Sequence, residues 1–104
     1  MTEETSIQLI TLNTGNHIIS EARKVYVDKE EQTSIYVELT DPQILSLEKD
    51  VGGGHFEIKL TKWNPFSSEN KFLITPLSIV AVSEPLIEII DAYNKTLEKL
   101  RTND

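Results

Sequence analysis

The chain has 104 residues, of which 38% are hydrophobic and 26% charged, and its formal net charge is −7. This length predicts a single domain, and the composition is that of a globular protein, which excludes a disordered one. The chain has no cysteine, which excludes disulfides and thiolate metal sites and favours a reducing cytoplasm. Its acidic N-terminus lacks the features of a signal peptide, and no apolar run has the length of a membrane span. We therefore expect a cytoplasmic protein with no membrane partner.

Alternation of apolar and polar residues predicts strands from the start of the chain. The first covers residues 6–13 and ends in a turn at 13–16, where Asn and Gly suit a tight hairpin. The second covers residues 17–27, and its apolar positions change phase near Arg23, which indicates a bend or bulge. The third covers residues 35–39 and is broken by Asp41 and Pro42, although apolar residues at 44, 45 and 47 are compatible with a continuing strand.

Two more strands follow a predicted glycine hairpin at residues 52–54. The fourth alternates strictly over residues 55–62, passes through a turn containing Trp63 and Phe66, and resumes at Phe72 and Ile74. A tight turn at 75–78 leads into the fifth strand, residues 79–82. This last strand is apolar on both faces, which predicts that it is buried on both sides.

The C-terminal segment, residues 84–101, has the period of an amphipathic helix. Ser83 is the predicted N-cap, with Pro85 in the first turn. The predicted apolar face comprises Leu86, Ile89, Ile90, Tyr93, Leu97 and Leu100. We expect its near half, residues 86–90, to pack on the chain's own sheet. The far half, residues 93–100, is predicted to reach a neighbouring subunit or another protein.

No combination of residues predicts an enzyme, a cofactor or a metal site. His17 and His55 do not form a ligand-spaced pair, the glycines at 52–54 lack the rest of a phosphate-binding loop, and the acidic loop at 28–32 lacks the spacing of a calcium loop. Ordinary strand, hairpin and loop roles are favoured for all of them. Trp63 and Phe66 leave two interpretations open, because they suit either a plug for the end of a barrel or a surface that stacks on bases or anchors a protein.

Two segments resemble the motifs of the Sm family, which includes the Lsm and Hfq proteins. Residues 12–20 resemble the opening of the first motif, with an apolar strand end, a glycine turn, an apolar residue and a small residue. Residues 72–82 resemble the second, with a strand, a short turn and a β-branched strand. Over residues 6–83 the chain is similar to Sm-like proteins of tailed phages of marine bacteria, which carry their helix at the C-terminus.

The resemblance implies a mainly β fold, a strongly bent five-stranded antiparallel barrel with a C-terminal amphipathic helix. It also implies a homo-oligomeric ring of about five to seven subunits, in which the fourth strand of one subunit pairs with the fifth of the next. A phage origin implies the cytoplasm of an infected bacterial cell. The predicted ring interface comprises Phe72, Ile74, Ile79, Val80, Val82, Tyr93 and Leu97.

The residues that bind RNA in the family are not matched here. The loop after the second strand is acidic, and Thr75 and Pro76 stand where the second motif has Arg-Gly or Lys-His. From their positions in or beside strands, the predicted RNA-binding residues are Arg23, Lys24, Lys59, Lys62 and Trp63. The leading hypothesis is a ring that binds single-stranded RNA or acts as an RNA-associated scaffold. The alternative is an acidic ring that binds a host or phage protein and no RNA, in keeping with the net charge.

Overall fold

The computed structural model describes residues 5–26, 35–49 and 56–102. These ranges contain β1 (Ser6–Leu12), β2 (His17–Tyr26), β3 (Ile35–Lys49), β4 (Phe56–Lys62), β5 (Lys71–Ile74), a 3₁₀ turn (Pro76–Ser78), β6 (Ile79–Ser83) and α1 (Ile87–Thr102). The acidic loop at 28–32, the glycines at 52–54 and His55 lie outside the described residues. In the described ranges, no helix has the length and apolar character needed to cross a membrane.

The six strands form one antiparallel sheet in the order β4-β3-β2-β1-β6, with β5 also paired to β3. β4 lies opposite residues 43–49 of β3 and β5 opposite residues 37–40, so both occupy the same side of that strand. The mainly β fold with a C-terminal helix is confirmed. The sheet has six strands instead of the predicted five, and the described strands do not close it into a barrel. A turn at 63–70 divides the outer strand into two, and none of the described strands joins β6 to β4 or β5.

The turn between β1 and β2 forms as predicted. Gly15 has a φ of 93°, a left-handed conformation that glycine adopts without the strain a Cβ would cause. The Gly15 amide donates to the Leu12 carbonyl at 2.9 Å, and the Leu12 amide donates to the Asn16 carbonyl at 2.9 Å. The two strands are therefore held in register directly from the turn.

β3 continues through Asp41 and Pro42, where the sequence predicted a break. The register with β2 shifts there, because Ile19 pairs with Gln43 while Glu21 pairs with Thr40, which leaves one extra residue in β3. Asp41 has a φ of 54°, and aspartate is among the few residues that adopt this conformation readily. The extra residue is a β-bulge, which is how the strand accommodates the predicted breaker.

Two hydrophobic clusters lie on opposite faces of the sheet. The first comprises Ile10, Leu12, Ile18, Ala22 and Leu39. The second comprises Ile19 with three residues of α1, which are Ile89, Tyr93 and Leu97. Successive residues of a strand face opposite ways, so the adjacent and fully buried Ile18 and Ile19 divide between the clusters. Leu39 and Leu45 would share a face of a regular strand, yet they belong to different clusters because the bulge lies between them.

The helix packs differently from its predicted arrangement. It begins at Ile87, and the Leu86 carbonyl accepts from the amides of Ile89 and Ile90 at 3.0 Å, so Ser83 in β6 is not its N-cap. Of the near half predicted to pack on the sheet, Leu86 is exposed while Ile89 is buried against Ile19. Tyr93 and Leu97, assigned to a neighbouring subunit, are buried in their own chain. Residues 89, 93 and 97 of the helix pack against Ile19 of β2, so the helix lies across this face of the sheet.

Candidate interaction edges

Two of the predicted RNA-binding cations form ion pairs within the chain. Arg23 Nε donates to Glu38 Oε1 at 2.8 Å across the pair of strands β2 and β3. Lys59 Nζ lies 3.1 Å from Glu48 Oε1 across the pair β3 and β4. A cation that faces a carboxylate at this distance attracts a phosphate less strongly than an isolated one, because the two fields partly cancel.

Lys62 and Trp63 have structural roles in the turn at 63–70. Lys62 Nζ donates to the Ser67 carbonyl at 2.9 Å. Trp63 is half-buried against the first cluster and meets Phe72 edge to face, with ring centroids 5.5 Å apart and planes at 89°. This packing supports the plug interpretation for Trp63. The same residue also lines an open cavity, so part of its ring is accessible.

The structure does not bring the predicted RNA-binding residues to one surface. Arg23 and Lys24 pair with Glu38 and Val37 on β3. Lys62 and Lys59 lie opposite positions 43 and 46 of the same strand. At about 3.3 Å per residue, the two groups are roughly 15 Å apart along β3. Of the four cations, Lys24 is exposed and without a side-chain partner among the described residues.

The predicted interface strands form the two open edges of the sheet. In β5, Phe72 and Ile74 are half-buried, while Leu73 between them is exposed. In β6, Val80 and Val82 are 67% and 54% exposed, and Ile79 is half-buried. The fifth predicted strand is therefore not buried on both faces in the single chain, and among the described strands only β1 pairs with it. Tyr93 and Leu97 lie at neither edge.

Leu77 is a surface residue that sequence reasoning missed. It occupies the middle of the 3₁₀ turn between β5 and β6, and its side chain is 91% exposed. The turn is held firmly, because the Leu77 amide donates to Thr75 Oγ1 at 3.0 Å and the Asn13 amide donates to the Ser78 carbonyl at 2.8 Å. The sequence signal was Thr75-Pro76, since a hydroxyl cap followed by proline starts a short helical turn.

A cavity of about 460 Å³ opens beside β5, between the β1–β2 turn and Trp63. We call it the Trp63 cavity, and its lining includes Leu12, Asn16, Tyr36, Trp63, Leu73 and Thr75. Tyr36 is 37% exposed and Leu73 58%. None of the described residues that line the cavity is charged. This lining suits an uncharged, largely apolar group.

Within the described ranges, no three His, Cys, Asp or Glu side chains come together as a metal site would require. His17, one of the two histidines in the sequence, shares a hydrogen bond of 3.0 Å between its Nδ1 and Thr11 Oγ1. Among the described residues, the two sheet edges, the exposed turn between β5 and β6 and the Trp63 cavity are therefore candidate surfaces for interaction.

The chain belongs to a family described as a family of unknown function (DUF6561), whose model matches residues 5–98. The match includes the sheet, both edges and most of α1. Comparison with curated proteins finds no match.

Proposed function

We propose that this member of a family of unknown function is a non-enzymatic subunit of an Sm-like ring that serves as a protein-binding scaffold. The observation that carries the proposal is the pair of open edges, β5 on one side of the sheet and β6 on the other. In the proposed ring, β4 and β5 together correspond to the fourth strand of an Sm subunit, and β6 corresponds to the fifth. The two strands that the Sm resemblance joins between neighbours are thus the two that are open here.

Open apolar edges of this kind are normally covered, because unpaired backbone groups recruit other strands. β6 carries two exposed valines and β5 an exposed leucine. When the edges of a chain differ, pairing one with the other is a head-to-tail contact, and a repeated contact of this kind closes into a ring when the rotation allows. A ring of about five to seven subunits satisfies both edges of every copy.

A protein partner fits this subunit better than RNA. The chain carries 17 acidic and 10 basic residues, a balance that repels phosphate at long range. Arg23 and Lys59 are paired with carboxylates, and Lys62 donates to a backbone carbonyl. The scaffold therefore recognises its partner through apolar and neutral groups on an acidic background.

The assembly is tested by placing a charge at one edge. Wild-type protein at micromolar concentration is expected to show a single closed oligomer by native mass spectrometry, while Val82→Lys is expected to be monomeric. The matched control is Leu47→Lys, which also places a lysine at an exposed apolar position but on β3, whose backbone is paired with β4. A folded wild-type monomer at this concentration contradicts the proposal.

RNA binding is tested directly with labelled oligo-U and oligo-A. Affinity that falls steeply as salt rises identifies phosphate contact and favours the RNA alternative over the protein scaffold. Lys24→Ala is then the variant to compare with wild type, because Lys24 is exposed, whereas replacing Trp63 removes a ring that packs on the core. The absence of binding at low salt rejects the RNA alternative.

A further inference from the structure

Leu77 and the Trp63 cavity are both exposed and, among the described residues, both free of charged side chains. Leu77 is a large apolar side chain exposed on a turn that is fixed by backbone and side-chain hydrogen bonds. A rigid projection loses little conformational freedom on binding, so more of the free energy of its burial is retained as affinity. Neither residue of the turn beside it, Pro76 or Ser78, is charged, and the described lining of the cavity is uncharged as well.

The chain's own Leu77 does not fill its own cavity. Thr75 and Ser78, on either side of it, help to line the cavity, while the Leu77 side chain is 91% exposed. An apolar group that enters the cavity therefore comes from outside this chain. Other strongly exposed apolar side chains lie elsewhere, with Phe66 in the turn that joins β4 to β5, at the same edge as the cavity, and Leu86 and Ile87 beyond the far end of β6. A head-to-tail neighbour approaches that edge with its β6 side, so it presents Leu77 there and not Phe66.

We propose that Leu77 of one copy inserts into the Trp63 cavity of the next copy and sets the register of their contact. This inference rests on the proposed ring and adds the side chain that fixes the register between neighbouring copies. Every strand pair in the sheet is antiparallel, and an added β6 that continues this pattern runs antiparallel to β5. In the proposed register its first residue, Ile79, lies beside Ile74, which brings the turn at 76–78 against Thr75 and the mouth of the cavity. A parallel arrangement instead carries Leu77 roughly 15 Å away, at about 3.3 Å per residue.

Trp63 supplies the first readout, because it is the only tryptophan in the chain. As the wild-type concentration is raised through assembly, insertion of a leucine beside the ring is expected to shift the tryptophan emission to shorter wavelength. Leu77→Ser is expected to remove most of this shift and to raise the midpoint concentration of assembly about ten- to a hundredfold. Leu47→Ser is the matched control, because Leu47 is exposed on β3 where that strand pairs with β4, and it is expected to leave both the shift and the midpoint unchanged.

Site-specific crosslinking supplies the second readout, since the native chain has no cysteine. Leu77→Cys and Tyr36→Cys are prepared separately, mixed, and treated with a short bis-maleimide. The mixture is expected to yield more crosslinked dimer than either variant treated alone, because each chain carries one thiol and the pair meets only between copies. A mixture that yields no more dimer than the two variants treated separately overturns the proposal.

The outcomes separate this inference from the ring itself. If the wild type assembles and Val82→Lys does not, the edge contact stands whatever Leu77 does. In that case, an unchanged midpoint and emission shift in Leu77→Ser, or an uncrosslinked mixture, overturns the insertion alone. A wild-type chain that stays monomeric overturns both.

Discussion

Tyr93 and Ser20 satisfy the backbone of the bulge in β3. The bulge takes backbone groups near Thr40 and Asp41 out of the regular ladder. The Tyr93 hydroxyl lies 3.1 Å from the Thr40 carbonyl and 2.9 Å from the Asp41 carbonyl, and it accepts from the Glu21 amide at 3.3 Å. Ser20 Oγ lies 3.0 Å from the Thr40 carbonyl. Both side chains are fully buried, so the bulge and the helix are joined by hydrogen bonds in the interior.

Removal of the Tyr93 hydroxyl is expected to destabilise the fold more than its size suggests. In Tyr93→Phe the ring still fills its place, but the carbonyls near the bulge lose a buried donor. The expected decrease in the free energy of unfolding is about 1–3 kcal/mol, the usual penalty for a buried polar group left unsatisfied. Urea denaturation measures it. Tyr36→Phe is the control, because Tyr36 is partly exposed, and equal losses in the two variants contradict this account.

At the scale of elements, the sequence predicted that the C-terminal segment is a helix but did not predict which of its residues contact the sheet. The spacing of apolar residues identified α1, and Tyr93 and Leu97 belonged to the predicted face. Periodicity does not specify which part of an apolar stripe meets the sheet. Residues Glu84 to Leu86 are not helical, so α1 begins at Ile87, later than predicted, and Leu86 is exposed. The contact partners, Ile19 and Leu45, are distant in sequence and carry no local signal.

For the strands too, features set by neighbouring residues were predicted, and features set by contacts between residues distant in sequence were not. Alternation predicted β1, β2 and β4, and the glycine turn fixed the first hairpin. The break predicted at Asp41 and Pro42 failed because the bulge is stabilised by Ser20 and by Tyr93, which is more than 50 residues away along the chain. The basic residues were predicted to bind RNA from their positions in or beside strands, and the pairing of Arg23 with Glu38 could not be predicted because it depends on strand register.

The buried stripe of α1 is tested with one leucine in the core and one outside it. Leu97 is 5% exposed within the second cluster, while Leu100, one turn later, is 52% exposed. Leu97→Ala is expected to lower the free energy of unfolding by about 2–5 kcal/mol, because it leaves a cavity against the sheet. Leu100→Ala is expected to cost clearly less. Thermal denaturation of both variants at one concentration compares them, and a larger effect at Leu100 assigns the far end of the helix to an interface.

At the scale of the whole molecule, charge and apolar edges act in opposite directions. Each copy has a net charge of −7, so copies repel one another at long range. The contacts proposed between them, β5 with β6 and Leu77 with the Trp63 cavity, are apolar or backbone in nature and are insensitive to salt. Assembly of the proposed ring therefore requires that the free energy of short-range burial exceed the long-range repulsion between copies.

This balance predicts that salt strengthens the assembly. Raising NaCl from about 20 mM to about 200 mM shortens the screening length from roughly 20 Å to roughly 7 Å and weakens the repulsion between copies. The midpoint concentration of assembly, measured by sedimentation velocity, is expected to fall across this range. Contacts between a protein and a phosphate backbone respond in the opposite sense, because bound counterions are released. A midpoint that rises with salt would show that ion pairs between copies hold the ring, with acidic groups of one subunit facing cations such as Lys24 of the next.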